Sequence, residues 1–152
     1  MDMENKVRQI RELVEAKPEN FARVSDEVWA VPELYFHETK SAAILIKALK
    51  EEGFEVQEGV DGIPTAFIGT WGSGKPVIGI LGEFDALPSL SQEAGCWEHK
   101  EIVKGGPGHG CGHNALGAGA MAAAVAAKDY MEKNGLSGTI RYYGCPAEEA
   151  GW

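Results

Sequence analysis

Three apolar stripes at helical spacing open the chain. Val7, Ile10 and Val14 share one face before a break at Lys17-Pro18, and Phe21, Val24 and Val28 form a second face that stops near Pro32. Ile44, Leu45, Ala48 and Leu49 form a third, ending at Gly53, a residue suited to the left-handed turn after a helix. Each stripe is expected to be a core face.

From Phe54 the period shortens. Phe54-Glu55-Val56 and Thr65-Ala66-Phe67-Ile68-Gly69 read as strands, the second closed by a Gly72-Ser73-Gly74 turn. Pro76-Val77-Ile78-Gly79-Ile80-Leu81-Gly82 is almost continuously apolar, the pattern of a strand buried on both faces. Residues 88–110 form a polar, Gly-rich loop of a length that is often functional. A helix follows from His113, with small residues from Gly117 to Ala127 that let another element approach its backbone. Asn134-Gly135 ends it, and Thr139-Ile140-Arg141-Tyr142-Tyr143-Gly144 reads as a further strand. Helices leading into strand–helix–strand alternation predict an α/β sandwich around a largely buried sheet.

Composition narrows the function classes. A chain of 152 residues supports one domain with a real core and not two. A net charge of −9, with no Lys/Arg stripe to neutralise phosphates, argues against nucleic acid. The N-terminus lacks the apolar core of a signal peptide, and no apolar run approaches the roughly 20 residues of a membrane span. A cytoplasmic, non-membrane protein is therefore expected. Cys96, Cys111 and Cys145 form an odd set without a regular framework, so thiols are expected rather than a disulfide scaffold.

The candidate chemistry lies just beyond the C-terminal ends of the predicted strands, or where a helix opens. Glu83 and Asp85 follow the apolar strand, His109-Gly110-Cys111-Gly112-His113 precedes the small-residue helix, and Glu148-Glu149 follow the last strand. In open α/β sheets that edge is where ligands bind. Thiol, imidazole and carboxylate are the donor types of zinc-like ions, and the flanking glycines let Cys111 and His113 bind one ion or bridge two. Pro146 ends the last strand, freeing Glu148 and Glu149 to turn toward the site, one to ligate and one to take a proton from water. Asp85 either ligates directly or fixes the tautomer of a ligating histidine. Glu83 is one residue removed from that face, and His37 and His99 are sequence-isolated.

Two other chemistries fit less well. Gly105-Gly106-Pro107-Gly108 lacks the lysine-serine ending of a phosphate loop, and the Gly117-Ala118-Gly119-Ala120-Met121-Ala122 match to a dinucleotide pattern falls inside a helix. A Cys111 nucleophile with His113 as base leaves Glu148 and Glu149 without a role.

Gly82-Glu83-Phe84-Asp85-Ala86-Leu87-Pro88, Gly108-His109-Gly110-Cys111-Gly112-His113-Asn114 and Gly144-Cys145-Pro146-Ala147-Glu148-Glu149 resemble the successive motifs of the M20 metallopeptidase superfamily. The wording is most similar to its amidohydrolase branch, of the aminobenzoyl-glutamate hydrolase type. The resemblance implies the N-terminal part of an M20-type catalytic domain, an α/β fold with a mixed, mostly buried sheet and helices on both faces. It implies Cys111, His113 and Glu149 as metal ligands, Glu148 as general base and Asp85 as a supporting acid. Glu83 stands where other branches place a ligating histidine. Two divalent ions, zinc or manganese, would serve hydrolysis of the amide bond in an N-acyl or aminobenzoyl amino acid.

Family members continue well past residue 152, with further histidine ligands, the rest of the sheet and a lid or dimerisation domain. The expectation is a partial catalytic domain over 1–152, inactive alone and either self-associating or needing its missing half. The alternative is a folded, non-catalytic metal-binding or interaction fragment.

Overall fold

A computed structural model describes residues 2–150. The elements in chain order are α1 (Met3–Glu15), α2 (Pro18–Trp29), α3 (Thr39–Glu51), β1 (Glu55–Glu58), a 3-10 turn at Val60–Gly62, β2 (Phe67–Ser73), β3 (Val77–Glu83), α4 (His113–Lys133), β4 (Gly138–Cys145) and a 3-10 turn at Glu148–Ala150. The strands form one mixed sheet in the order β1-β2-β4-β3, with β3 and β4 parallel and the other neighbours antiparallel. The α/β class and the strand–helix–strand core follow the pattern of the sequence.

The helices begin and end for local reasons. Asp2 accepts the Asn5 amide at 2.8 Å to open α1, and Pro18 opens α2. At α3 the free amides of Lys40 and Ser41 are taken by the Glu33 carboxylate at 2.9 Å each, from outside the helix. Phe21, Val24 and Val28 of α2 and Leu45, Ala48 and Leu49 of α3 enter the core with Met121 and Val125 of α4, as their stripes predict. The α1 stripe does not: Val7 is 50% and Ile10 40% exposed, because α1 reaches the fold chiefly through α4.

Three sheet expectations are corrected. Phe67, not Thr65, opens β2, which runs through the predicted Gly72-Ser73 turn. The apolar strand β3 is not buried on both faces: among the described residues it is the sheet edge, with Val77 52%, Ile78 48% and Leu81 64% exposed. Nor do the described helices cover both faces. Gly69 meets Leu49 of α3, and its cross-strand partner Tyr142 donates from its hydroxyl to the Gly117 carbonyl of α4 at 3.1 Å. Both helices therefore share one face, and Val77, Leu81 and Arg141 lie on the other. Apolarity in β3 reports what the strand can bury, and among the described residues it has one neighbour and one covered face.

The small residues of α4 do what their size suggests. A Cβ on Gly117 would come within 2.8 Å of the Glu83 carbonyl, so the glycine lets the helix sit against the end of β3.

Beneath the helices, Lys17 pairs with Glu52 at 2.7 Å and Asp129 at 3.0 Å, and Asp129 also pairs with Lys128 at 2.8 Å. Burial opposes ionisation of Asp129, but hydrogen bonds from Lys128 and Lys17 outweigh it and hold the carboxyl below its ordinary range. Its contribution is present above the unfolded carboxylate pKa of about 3.9 and disappears as pH falls through the lower folded value. Asp129→Ala is expected to cost about 1–3 kcal/mol in urea unfolding at pH 7, a difference that shrinks as pH falls below the unfolded carboxylate pKa of about 3.9.

Candidate metal centre

Three chain segments meet beyond the C-terminal ends of the parallel strands β3 and β4. Past β3 the chain delivers Glu83 and the fully buried Asp85. Past β4 a turn brings Glu148 and Glu149, and the start of α4 brings His113 from between them in sequence. Gly112 has φ +90°, the left-handed conformation that turns the loop into α4 and separates the directions of Cys111 and His113. Asn114 anchors that helix start by donating to the Ser25 hydroxyl of α2 at 3.0 Å.

His113 is the hub, 3% exposed. Its Nδ1 lies 3.0 Å from Asp85 Oδ1, and Asp85 Oδ2 accepts the Glu149 amide at 2.8 Å. A carboxylate accepts, so Nδ1 donates, and in the neutral ring that tautomer presents the Nε2 lone pair to a metal ion. Toward Nε2 turn Glu83 at 3.2 Å, Glu148 at 3.7 Å and Glu149 at 3.9 Å. Two donor sets result, Cys111–His113–Glu149 and Glu83–His113–Glu148, each with its ligand atoms within 4.8 Å of one another. Donors around one tetrahedral ion stand about 3–4 Å apart, so a small inward closure of side chains suffices.

The electrostatics of this group are lopsided. Among the described residues no lysine or arginine pairs with Glu83, Asp85, Glu148 or Glu149. Glu149 Oε1 is buried without a hydrogen-bond partner. The Cys111 thiol is pushed up by its Glu149 neighbour first, then by desolvation and the charges of Glu149, Glu148 and Glu83. Clustered like charges, an orphaned oxygen and a thiol held protonated are all relieved by one change, a divalent cation in their midst. The donor chemistry fits such an ion.

The structure brings Cys111, His113, Glu148 and Glu149 together, with Asp85 behind His113 and outside both donor sets. Glu83, whose role the sequence left open, lies in the cluster with His113 and Glu148. His109 turns away, packed against Trp29 at a ring separation of 6.2 Å. Burial drives the imidazole below its ordinary range, with the Val28 backbone opposing and the neighbouring His113 reinforcing. His37 and His99 are exposed, and Cys145 is half-buried with its thiol raised by burial.

One participant escaped sequence reasoning altogether. Glu38 is fully buried and accepts the Ala147 amide, immediately before the Glu148-Glu149 pair, at 2.9 Å. Nothing in the surrounding Phe36-His37-Glu38-Thr39 run marks it.

Comparison with known proteins identifies the family and fold of the chain. Residues 79–152 match peptidase family M20/M25/M40. The chain is 48% identical over 149 residues to a component of the p-aminobenzoyl-glutamate hydrolase of Escherichia coli K12, covering 98% of this chain and 31% of that protein. A crystal structure from methicillin-resistant Staphylococcus aureus, described as an aminohydrolase, superposes with a TM-score of 0.74 at 28% identity, over 93% of this chain and 35% of that one. The Bacillus subtilis YXEP protein, described as a dinuclear metal-binding peptidase, gives 0.61 at 25% identity, over 88% of this chain and 37% of its own. The chain thus spans about a third of the length of each of these relatives. On the matched family, the near-complete alignment and the shared fold, this chain belongs to the M20 peptidase family.

Proposed function

We propose that the chain carries part of a metal-dependent amidohydrolase centre acting on N-acyl or aminobenzoyl amino acids. The observation that carries this reading is the cluster of four carboxylates and a thiol around His113 without a partnering lysine or arginine among the described residues. Cys111, His113 and Glu149 are the ligands, with Glu83 facing the same imidazole from the end of β3. When bound, a pair of divalent ions, zinc or manganese, polarises the substrate carbonyl and acidifies a water.

The chain's own residues supply the rest. Asp85 holds His113 in the tautomer that leaves Nε2 free. The Glu148 side chain is 51% exposed, the most open of the four carboxylates, and so reaches both solvent and substrate. It takes the proton from the attacking water and returns it to the departing amine. The substrate class rests on the 48% identity to a component of an aminobenzoyl-glutamate hydrolase. A cytoplasmic setting suits three free thiols, and no described helix is long and apolar enough to cross a membrane.

Because the chain spans about a third of its relatives, turnover is assigned to the longer assembly, and exposed Val77, Ile78 and Leu81 support self-association of the chain alone. The second reading, a folded metal-binding module without turnover, draws on the same short span. Metal content and hydrolysis of p-aminobenzoyl-glutamate separate the two. Glu148→Gln in a hydrolytically competent form should lose about 10²–10⁴-fold in rate while keeping its metal content. Stoichiometric metal with no turnover in any form favours the module, and a chain that retains no divalent ion refutes both.

A further inference from the structure

The Glu148-Glu149 turn begins with a backbone that alanine adopts reluctantly. Ala147 has φ +62°, in the left-handed region where a Cβ crowds the following carbonyl. Something outside the turn must hold it there, and its amide goes to Glu38 Oε1 at 2.9 Å, across 109 residues of chain.

Glu38 has no exposed surface and does more than this. The same Oε1 accepts the Phe36 amide at 2.9 Å, and Phe36 is itself left-handed at φ +59°. Oε2 accepts the Thr65 hydroxyl at 3.1 Å, from the link leading into β2. One carboxylate therefore ties together the α2–α3 loop, the entry to β2 and the turn after β4. Its partners are all neutral donors, and no ion pair with it is found among the described residues.

The same α2–α3 loop supports the other acidic segment, since the Glu33 carbonyl accepts the Ala86 amide beside Asp85 at 2.8 Å. The turn is thus pinned at both ends by buried carboxylates, Glu38 at Ala147 and Asp85 at Glu149. Glu148, half exposed, has no comparable tether and takes its place from the backbone between those pins.

We infer that Glu38 is the positioning residue of the acidic turn, holding Ala147 left-handed so that Glu148 and Glu149 face His113. It touches no donor of the metal cluster and acts only through the backbone. A glutamine in the same pose can accept both amides through its oxygen and donate its NH₂ to the Thr65 hydroxyl, so geometry rather than charge is what position 38 supplies.

The test compares Glu38→Gln with Glu38→Ala in the metal-free chain by residue-resolved amide exchange, which reads local opening of folded molecules. Glu38→Gln should leave protection at Ala147 and Glu149 within threefold of the parent. Glu38→Ala should lower both at least tenfold while Ile140 and Tyr142 inside β4 stay unchanged. If Glu38→Ala does not fold, Glu38→Asp replaces it: one methylene shorter, it cannot span both amides, and the same tenfold loss is expected.

A second arm, which rests on the metal reading above, titrates each folded variant with cobalt(II) and follows the thiolate charge-transfer band. Alanine or aspartate should weaken binding at least tenfold and glutamine less than threefold. Unchanged protection at Ala147 in the alanine or aspartate variant overturns the inference, as does uniform loss across β4. If the parent chain binds no cobalt, the metal reading fails while the exchange arm still decides the role of Glu38.

Discussion

His113→Ala should abolish divalent-ion binding by this chain, lowering cobalt(II) or zinc affinity by at least about 100-fold in a direct titration. The size of the effect follows from topology. Both donor sets use the same imidazole, so one substitution reduces each to two donors, whereas Cys111→Ser or Glu83→Gln touches one set only. A second consequence separates this residue from an exposed ligand. Asp85 is 1% exposed and has its two oxygens on His113 and on the Glu149 amide. Alanine leaves one of those oxygens buried and unpaired, which costs about 1–3 kcal/mol in the metal-free protein as well. Asp85→Asn provides the calibrating comparison. Its amide nitrogen must face a donor on one side or the other, so metal affinity should fall about 10–100-fold with every ligand still present. Retention of parental affinity in His113→Ala would remove this histidine from the centre.

The parts of the site that were legible in the sequence are those whose chemistry is local. Cys111 and His113 are separated by one glycine, and Glu148-Glu149 are adjacent behind a proline that ends the strand, so residue type and backbone freedom suffice to suggest convergence. Helix α4 and strands β3 and β4 could be placed because an unbroken apolar run, a long small-residue stretch and the Asn134-Gly135 break mark them off. What was not legible depends on neighbours. The apolar run of β3 carries no information on how many strands flank it, and among the described residues it proved to be an edge with one covered face. The α1 stripe has helical spacing but meets chiefly α4, so amphipathicity did not become burial. His109 sits in the same short loop as Cys111, yet its ring turns to Trp29 instead of the cluster. Glu38 is the extreme case, since its importance lies in an amide 109 residues away and in a left-handed alanine that no propensity scale anticipates.

Gly144→Ala should damage the sheet severely for a single added methyl, with a loss of about 2–3 kcal/mol in denaturant unfolding. Gly144 has no special dihedral, so the glycine is required for space alone. A Cβ there would overlap the edge of the Phe67 ring, with Cδ1 at 2.6 Å. That is well inside the roughly 3.5–4 Å at which carbon atoms rest against each other. Phe67 cannot yield easily. It is 1% exposed and held between Phe84 and Tyr142 at ring separations of 5.7 and 5.9 Å. The clash must then be relieved by β4 itself, whose next residues are Cys145, Pro146 and the Ala147 that starts the acidic turn. Metal affinity should therefore fall together with stability, although Gly144 holds no donor. A double-mutant cycle checks the mechanism. Phe67→Leu alone costs about 1–2 kcal/mol by underfilling the core, but it clears the ring edge, so Gly144→Ala in that background should cost under about 1 kcal/mol. Strict additivity of the two would show that the Phe67 ring is not what the methyl group strikes.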